Sequence, residues 1–192
     1  MATKTEEPKR SPRERLLAAA NELFYAEGVQ TVGIDRIIEH AGVAKASLYN
    51  TFGSKEALVR AYLESRHART LDRLRRAVDR HTDPRARLLA VFDSQGAQFT
   101  RPDFHGCAFA AASAEAPRGG LVEQATDDYR GATRALLAEL AEQAGVPDPA
   151  MLARQLQLIY DGAALGMRTD RDPTVAAVSR AAAEALLAAA LR

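Results

Sequence analysis

TVGIDRIIEHAGVAKASLYNTFGSKEALV, running from Thr31 to Val59, is the stretch that decides the fold. Ile34, Ile37, Ile38 and Ala41 recur at i, i+3, i+4 and i+7, the spacing of one helical face, and Gly42 follows where the chain has to turn. The next residues, VAKASLYNTF, are too few to persist as an isolated helix. Two short helices joined by a glycine turn and braced by a longer helix in front make a helix-turn-helix. In its second helix Val43 and Leu48 plug a small core, and Phe52 also reads as an ordinary core aromatic. Lys45, Ser47, Tyr49, Asn50 and Thr51 point the other way. Lys45 suits a phosphate or a guanine, Asn50 an adenine edge, Ser47 either kind of group, and the Tyr49 hydroxyl a phosphate. Amides near Ser54 together with Lys55 make a phosphate clamp at the start of the following helix, and Thr31 is placed to do the same before Ile34.

Working outward toward the N-terminus, Ser11-Pro12-Arg13-Glu14 supplies a capping hydroxyl, a proline at the first helical position and a carboxylate three residues on. Leu16, Ala20, Leu23 and Phe24, with Glu27 ending the same line, form a stripe that stops before Gly28, which reads as a left-handed cap. Residues 1–10 are polar, of mixed charge, and read as a disordered arm. Toward the C-terminus, Ser54 opens a long pattern through Leu58, Tyr62, Leu71, Leu74 and Val78. Asp83-Pro84, Asp148-Pro149 and Asp172-Pro173 then each precede a period-3.6 run, with Asp as cap and Pro in the first turn. The runs carry Leu88, Phe92, Gly96 and Phe99; Leu152, Leu156, Ile159, Tyr160 and Ala163; and Val175, Val178, Ala182 and Leu186. Between the first two lies a helix through Leu121, Ala125, Ala132, Leu136 and Leu140, ended by Gly145-Val146-Pro147. No sustained period-2 run is flanked by hairpin turns. The expected architecture is all-α with about nine helices: a three-helix helix-turn-helix domain over 11–57 and a helical body over 58–192.

In register, Thr31–Val59 resembles the helix-turn-helix of the TetR family of transcriptional regulators. The family pattern has a Thr before the first helix, a buried Ile, Ala-Gly-Val at the turn, Leu-Tyr in the reading helix, a Phe, and Ser-Lys-Glu opening the next helix. Thr31, Ile37, Ala41-Gly42-Val43, Leu48-Tyr49, Phe52 and Ser54-Lys55-Glu56 occupy those places. Ala44 and Ala46 depart from it, standing where the family often has Ser or Thr and Gly, so one capping hydroxyl is missing from the contact set. The resemblance implies DNA contacts at Thr31, Ala44, Lys45, Ala46, Ser47, Tyr49, Asn50, Thr51 and Lys55. It also implies a body that binds a small-molecule effector and dimerises through its last two helices, about 149–191, the homodimer then gripping a palindromic double-stranded operator as a repressor.

Bulk composition limits the alternatives. The formal net charge is +1, from 26 Lys+Arg against 25 Asp+Glu, so any hold on nucleic acid must come from local placement. Residues 1–60 hold nine basic and eight acidic side chains, a balance that gives moderate non-specific affinity. All four lysines, Lys4, Lys9, Lys45 and Lys55, fall in the first 55 positions. One cysteine, Cys107, allows no intrachain disulfide and fits a reducing compartment. Without a signal peptide or a run of about 18 apolar residues, the cytoplasm is the expected location and no membrane partner is expected.

Apolar walls with a few polar groups make a small-molecule site, and the middle of the body gathers Phe92, Phe99, Phe104, Phe109 and Tyr160 near His105 and Cys107. These seven are the candidate effector pocket; each aromatic has ordinary core as its alternative. His105 and Cys107 do not make a metal site, since His40, His67 and His81 lack ligand spacing with them. Cys107 has no evident orienting partner beyond a histidine, so neither an enzyme nor a cofactor is expected. Gly162 and Gly166, with Ala163 and Ala164 between, leave room for close helix packing, either across a dimer or within the chain. The rival function is an architectural DNA-binding protein with no effector, whose body would be packed solid.

Overall fold

The computed structural model describes residues 10–192, and the expected arm is outside the described residues except for Arg10, which is exposed. Among the described residues there are nine helices and no strand: α1 (Pro12–Glu27), α2 (Ile34–Ala41), α3 (Lys45–Phe52), α4 (Lys55–Val78), α5 (Pro84–Phe99), α6 (Ala108–Glu115), α7 (Leu121–Gln143), α8 (Pro149–Asp170) and α9 (Val175–Ala190). None of these helices is long and apolar enough to cross a membrane.

Local chemistry sets most of the boundaries. At α1 the Ser11 amide donates to Glu14 Oε2 at 2.7 Å and the Glu14 amide donates back to Ser11 Oγ at 3.3 Å, so two otherwise orphaned amides are satisfied together. Asp83 and Asp148 accept from Ala86 and Met151, with Pro84 and Pro149 in the first turns of α5 and α8. Gly42 sits at φ 60°, ψ 43°, the left-handed turn that α2 to α3 requires.

Four local expectations are corrected. Gly28 has φ 94° but an extended ψ of 156°, so the chain leaves α1 stretched out instead of curling into a left-handed cap. Asp172 accepts from the Thr174 amide at 2.8 Å, which holds a turn ahead of α9; Thr174 is the cap, and Pro173 lies outside the helix. The buried line of α7 is Val122, Ala125, Tyr129, Thr133, Leu137 and Leu140, whereas Leu121, Ala132 and Leu136 are only half-buried. In α9 the buried line is Ser179, Ala183 and Leu187, and Val178 is left exposed. In alanine-rich helices many registers look equally apolar, and the neighbouring helix selects one.

Two cores result. The first joins Leu16, Phe24, Ile37 and Leu48 of α1–α3 to Leu58, Tyr62 and Leu63 of α4, and continues into Phe109 of α6 and Tyr129 of α7. The second fills the far end, between Leu74 and Val78 of α4 and the α5, α7, α8 and α9 residues Leu88, Phe92, Leu137, Leu156 and Leu187. α4 belongs to both. α5 and α9 meet so closely that a Cβ on Gly96 would stand 2.9 Å from Ala176 Cβ, the approach for which glycine is needed there.

Candidate functional site

The outer face of α3 is built on one pin. Leu48 is fully buried beneath it, with Val43 and Phe52 packed partly against the same core and Arg13 lying over the Phe52 ring at 5.7 Å. Opposite the pin, Lys45, Tyr49, Asn50 and Thr51 are exposed, as are Ala44 and Ala46, while Ser47 is half-buried. Tyr49 leaves 45% of its surface to solvent although it is a large aromatic. Charged contacts with α1 hold the unit in place. Arg36 pairs with Glu27, His40 Nε2 lies 2.8 Å from Glu22, and Arg15 Nη1 donates to the Gly42 carbonyl at 3.1 Å. Sequence reading missed these three because their partners are 9 to 27 residues away.

Several polar groups of this face already have partners within the chain. Lys45 Nζ lies 2.9 Å from Asp35 Oδ1, a contact that raises the lysine's pKa above its ordinary value. The Thr51 hydroxyl donates to the Ser47 carbonyl at 2.6 Å, so it is turned back along its own helix. Lys55 Nζ reaches the Gln30 carbonyl at 3.4 Å. Thr31 is exposed but does not cap α2, whose cap is Gly33, with no side-chain bond. Ala44 likewise caps α3 without a side chain, leaving first-turn amides that can meet an anion.

A chamber of about 740 Å³ lies among α1, α4, α5, α7, α8 and the segment entering α6. Of the seven candidates, Phe99, Phe104, His105, Cys107, Phe109 and Tyr160 line it. Phe92 does not. It is 1% exposed and meets the Tyr160 ring edge-on at 6.2 Å, which makes it core behind the wall. Phe109 stacks on Tyr129 at 3.9 Å with planes 2° apart, and Phe99 meets Phe104 at 5.1 Å. Unforeseen lining residues are Tyr25, Arg66, Arg73, Gln95, Tyr129 and Asp161. They lie far apart in the chain, and only the helical spacing of Arg66 and Arg73 on α4 carried any signal.

Burial governs the chemistry of this chamber. It raises the Cys107 thiol above its usual range despite the nearby amides of Phe109 and Ala110, and so favours the unreactive thiol over the thiolate a nucleophile needs. Burial also raises Tyr129 and Tyr160, and it raises the Asp161 carboxyl against the pull of Arg130, whose Nη1 is 2.8 Å away. Among the described residues no group of three or more His, Cys, Asp and Glu side chains is placed to hold a metal ion.

Chamber and helix-turn-helix are connected. The Tyr25 hydroxyl donates to the Gly106 carbonyl at 3.0 Å and accepts from the His105 amide at 3.1 Å. At the other end of α6, Glu115 Oε2 accepts from the Gln30 amide at 2.7 Å and its carbonyl accepts from Gln30 Nε2 at 3.2 Å. On the far side of the body, Leu158, Leu165 and Val178 are 70%, 63% and 63% exposed, with Met151 on the same heptad line of α8 as Leu158 and Leu165. Gly162 faces open space there, whereas Gly166 packs toward Val175 within the chain.

Residues 16–62 match the family model described as bacterial regulatory proteins, tetR family. The chain is 37% identical over 87 residues to the HTH-type transcriptional activator FasR of Mycolicibacterium smegmatis, covering 45% of this chain and 40% of that protein. It is 36% identical over 99 residues to the HTH-type transcriptional regulator TtgR of Pseudomonas putida, covering 48% of this chain and 47% of that protein. The matches thus span less than half the length of either curated relative. Over nearly the whole chain it superposes on the crystal structure of a TetR-family transcriptional regulator from Streptomyces coelicolor, with a TM-score of 0.88, 32% identity, and coverage of 94% of this chain and 96% of that one.

Proposed function

The chain belongs to the TetR family of bacterial transcriptional regulators, and we propose that it acts as a homodimeric repressor released from its operator by a small aromatic effector. In this reading residues 11–57 are the DNA-reading unit and 58–192 the sensing and dimerising body. The observation that carries it is α4: its first turns pack in the core beneath α3, and its Arg66 and Arg73 line the chamber. An open chamber also supports effector control over the architectural alternative, which calls for a solid body.

The α3 helices of the two protomers enter successive major grooves of a palindrome, about one helical turn apart. Tyr49 and Asn50 are free to do so at once. Lys45 exchanges Asp35 for a phosphate or guanine, and the uncapped starts of α2 and α3, with Thr31 and Lys55 beside them, approach phosphates. The apolar row Met151, Leu158, Leu165 and Val178 supports dimerisation through about 149–191, since an exposed row of this kind is costly to leave in water. Effector bound in the chamber favours one spacing of the two heads, and it shifts operator affinity only by its preference between spacings, about 1–3 kcal/mol or 5–150-fold. One matched relative is named as an activator; in this chain the same head would activate instead where its operator lies upstream of a promoter.

Selection of bound duplexes from a random DNA library tests the reading. The expected result is a palindrome enriched by the native chain and lost by Lys45→Ala. Enrichment of no sequence at low salt would overturn it.

A further inference from the structure

The α4 wall of the chamber carries arginines that no carboxylate on the wall pairs with directly. Arg66, Arg69, Thr70 and Arg73 succeed one another at i, i+3, i+4 and i+7 along α4, so they share one face, and all four line the cavity. Arg66 lies over the Tyr25 ring at 3.7 Å and donates to the Asn21 carbonyl at 3.1 Å, while its Nε is buried without an acceptor. Arg73 Nη1 donates to the Ser94 carbonyl at 2.8 Å and to Ser94 Oγ at 2.6 Å. Among the described residues neither guanidinium has a carboxylate within 4.0 Å. The three carboxylates on the wall have nearer neighbours: Asp103 pairs with Arg101, Glu22 lies against His40, and Asp161 Oδ2 is 2.8 Å from Arg130 Nη1 without hydrogen-bond geometry. A guanidinium cannot shed its charge, so Arg66 and Arg73 present fixed positive charge to the chamber.

A second observation comes from α5. Gln95 is 4% exposed; its Nε2 donates to the Tyr160 carbonyl at 2.7 Å, which turns Oε1 the other way, where it is buried with no donor. Buried acceptors are normally satisfied, and one on a cavity wall marks where a ligand's donor belongs. The same chamber is walled by aromatic surface, from Phe99, Phe104 and the Phe109–Tyr129 stack.

We propose that the effector is a planar aromatic acid that also carries a hydroxyl or N–H donor. Its rings lie against Phe99, Phe104 and Phe109, its oxyanion meets the Arg66 and Arg73 guanidiniums, and its donor meets Gln95 Oε1. Fused or paired rings suit a chamber of about 740 Å³. The inference rests on the chamber being the effector site and adds the class of molecule that fills it.

Calorimetric titration of the full chain with 6-hydroxy-2-naphthoate, its carboxamide and 2-naphthoate tests each group separately. The carboxylate should bind about tenfold or more tighter than the carboxamide, because charge-assisted bonds to guanidinium are lost. 2-Naphthoate, lacking the hydroxyl, should bind several-fold weaker than its hydroxylated parent. Arg66→Gln should narrow the gap between carboxylate and carboxamide several-fold and leave the carboxamide unchanged. Arg73 also anchors α5 through Ser94, so the comparison of ligands on the native chain stands without it. If the carboxamide binds the native chain as tightly as the carboxylate, the acid inference is overturned while the effector site survives. If none of the probes binds or releases operator DNA from a chain that does bind DNA, the effector reading falls with it.

Discussion

The outer face of α3 and the inner wall of the chamber are both rows of polar side chains on helices, yet they are kept under opposite conditions. On α3, Tyr49 and Asn50 stand in water and Lys45 has a solvated partner in Asp35. Nothing is lost by leaving them there, and they contribute free energy only when DNA arrives. On the chamber wall, Arg66 Nε and Gln95 Oε1 are buried without partners. A buried polar group is costly without a partner, and a ligand that supplies one offsets that cost. An exposed polar row is therefore silent about its ligand until DNA is tested, whereas a buried one describes its ligand by what it lacks.

The sharpest way to break this contrast is to compare the two sides of α3. Leu48→Ala removes a fully buried side chain from a core with little room to collapse, and should cost about 2–5 kcal/mol in urea unfolding, with operator binding lost alongside the fold. Tyr49→Ala, one residue on, should leave stability within about 0.5 kcal/mol, while operator affinity at fixed salt drops roughly tenfold, the scale of one good contact. Comparable losses of stability in both variants would mean that α3 has no functional face. Lys45→Gln sharpens the point: unfolding should barely change, because an exposed ion pair adds little, while the dependence of operator affinity on salt should flatten by about one unit of slope.

The reading helix was legible because everything that defines it lies within 29 residues and each position is restricted: a turn that needs Gly42, a pin that needs Leu48, a row that needs water. The capping box at Ser11 and the Asp caps of α5 and α8 were legible for the same local reason. The chamber was half visible. A cluster of aromatics predicted six of its lining residues, but Phe92 belongs to the core because α8 brings Tyr160 against it. Gln95 gave no signal and Arg73 only its helical spacing from Arg66, since their roles depend on Tyr160 and Ser94 arriving from elsewhere. The faces of α7 and α9 came out one residue off because alanine-rich sequence does not distinguish neighbouring registers; helix-to-helix packing does.

The smallest effect tests how the two regions communicate. α4 runs from the core beneath α3 to the chamber and is one lever, and α6 is a second. Its eight residues span about 12 Å. Cys107 and Phe109 sit at its chamber end, and Glu115 holds Gln30 at its head end, where the Gln30 carbonyl also receives Lys55. A ligand that pushes on Phe109 therefore displaces the turn before α2 through the Glu115–Gln30 contact, a backbone-carbonyl bond and one exposed, charge-assisted side-chain hydrogen bond. Glu115→Ala removes the side-chain bond and leaves the chamber untouched. Operator affinity without ligand should stay within about twofold, while release by 6-hydroxy-2-naphthoate, followed by fluorescence anisotropy, should weaken about threefold, near the lower end of what one hydrogen bond contributes. An unchanged release curve would leave α4 as the sole lever, and an affinity loss without ligand would show that Glu115 builds the head instead of moving it.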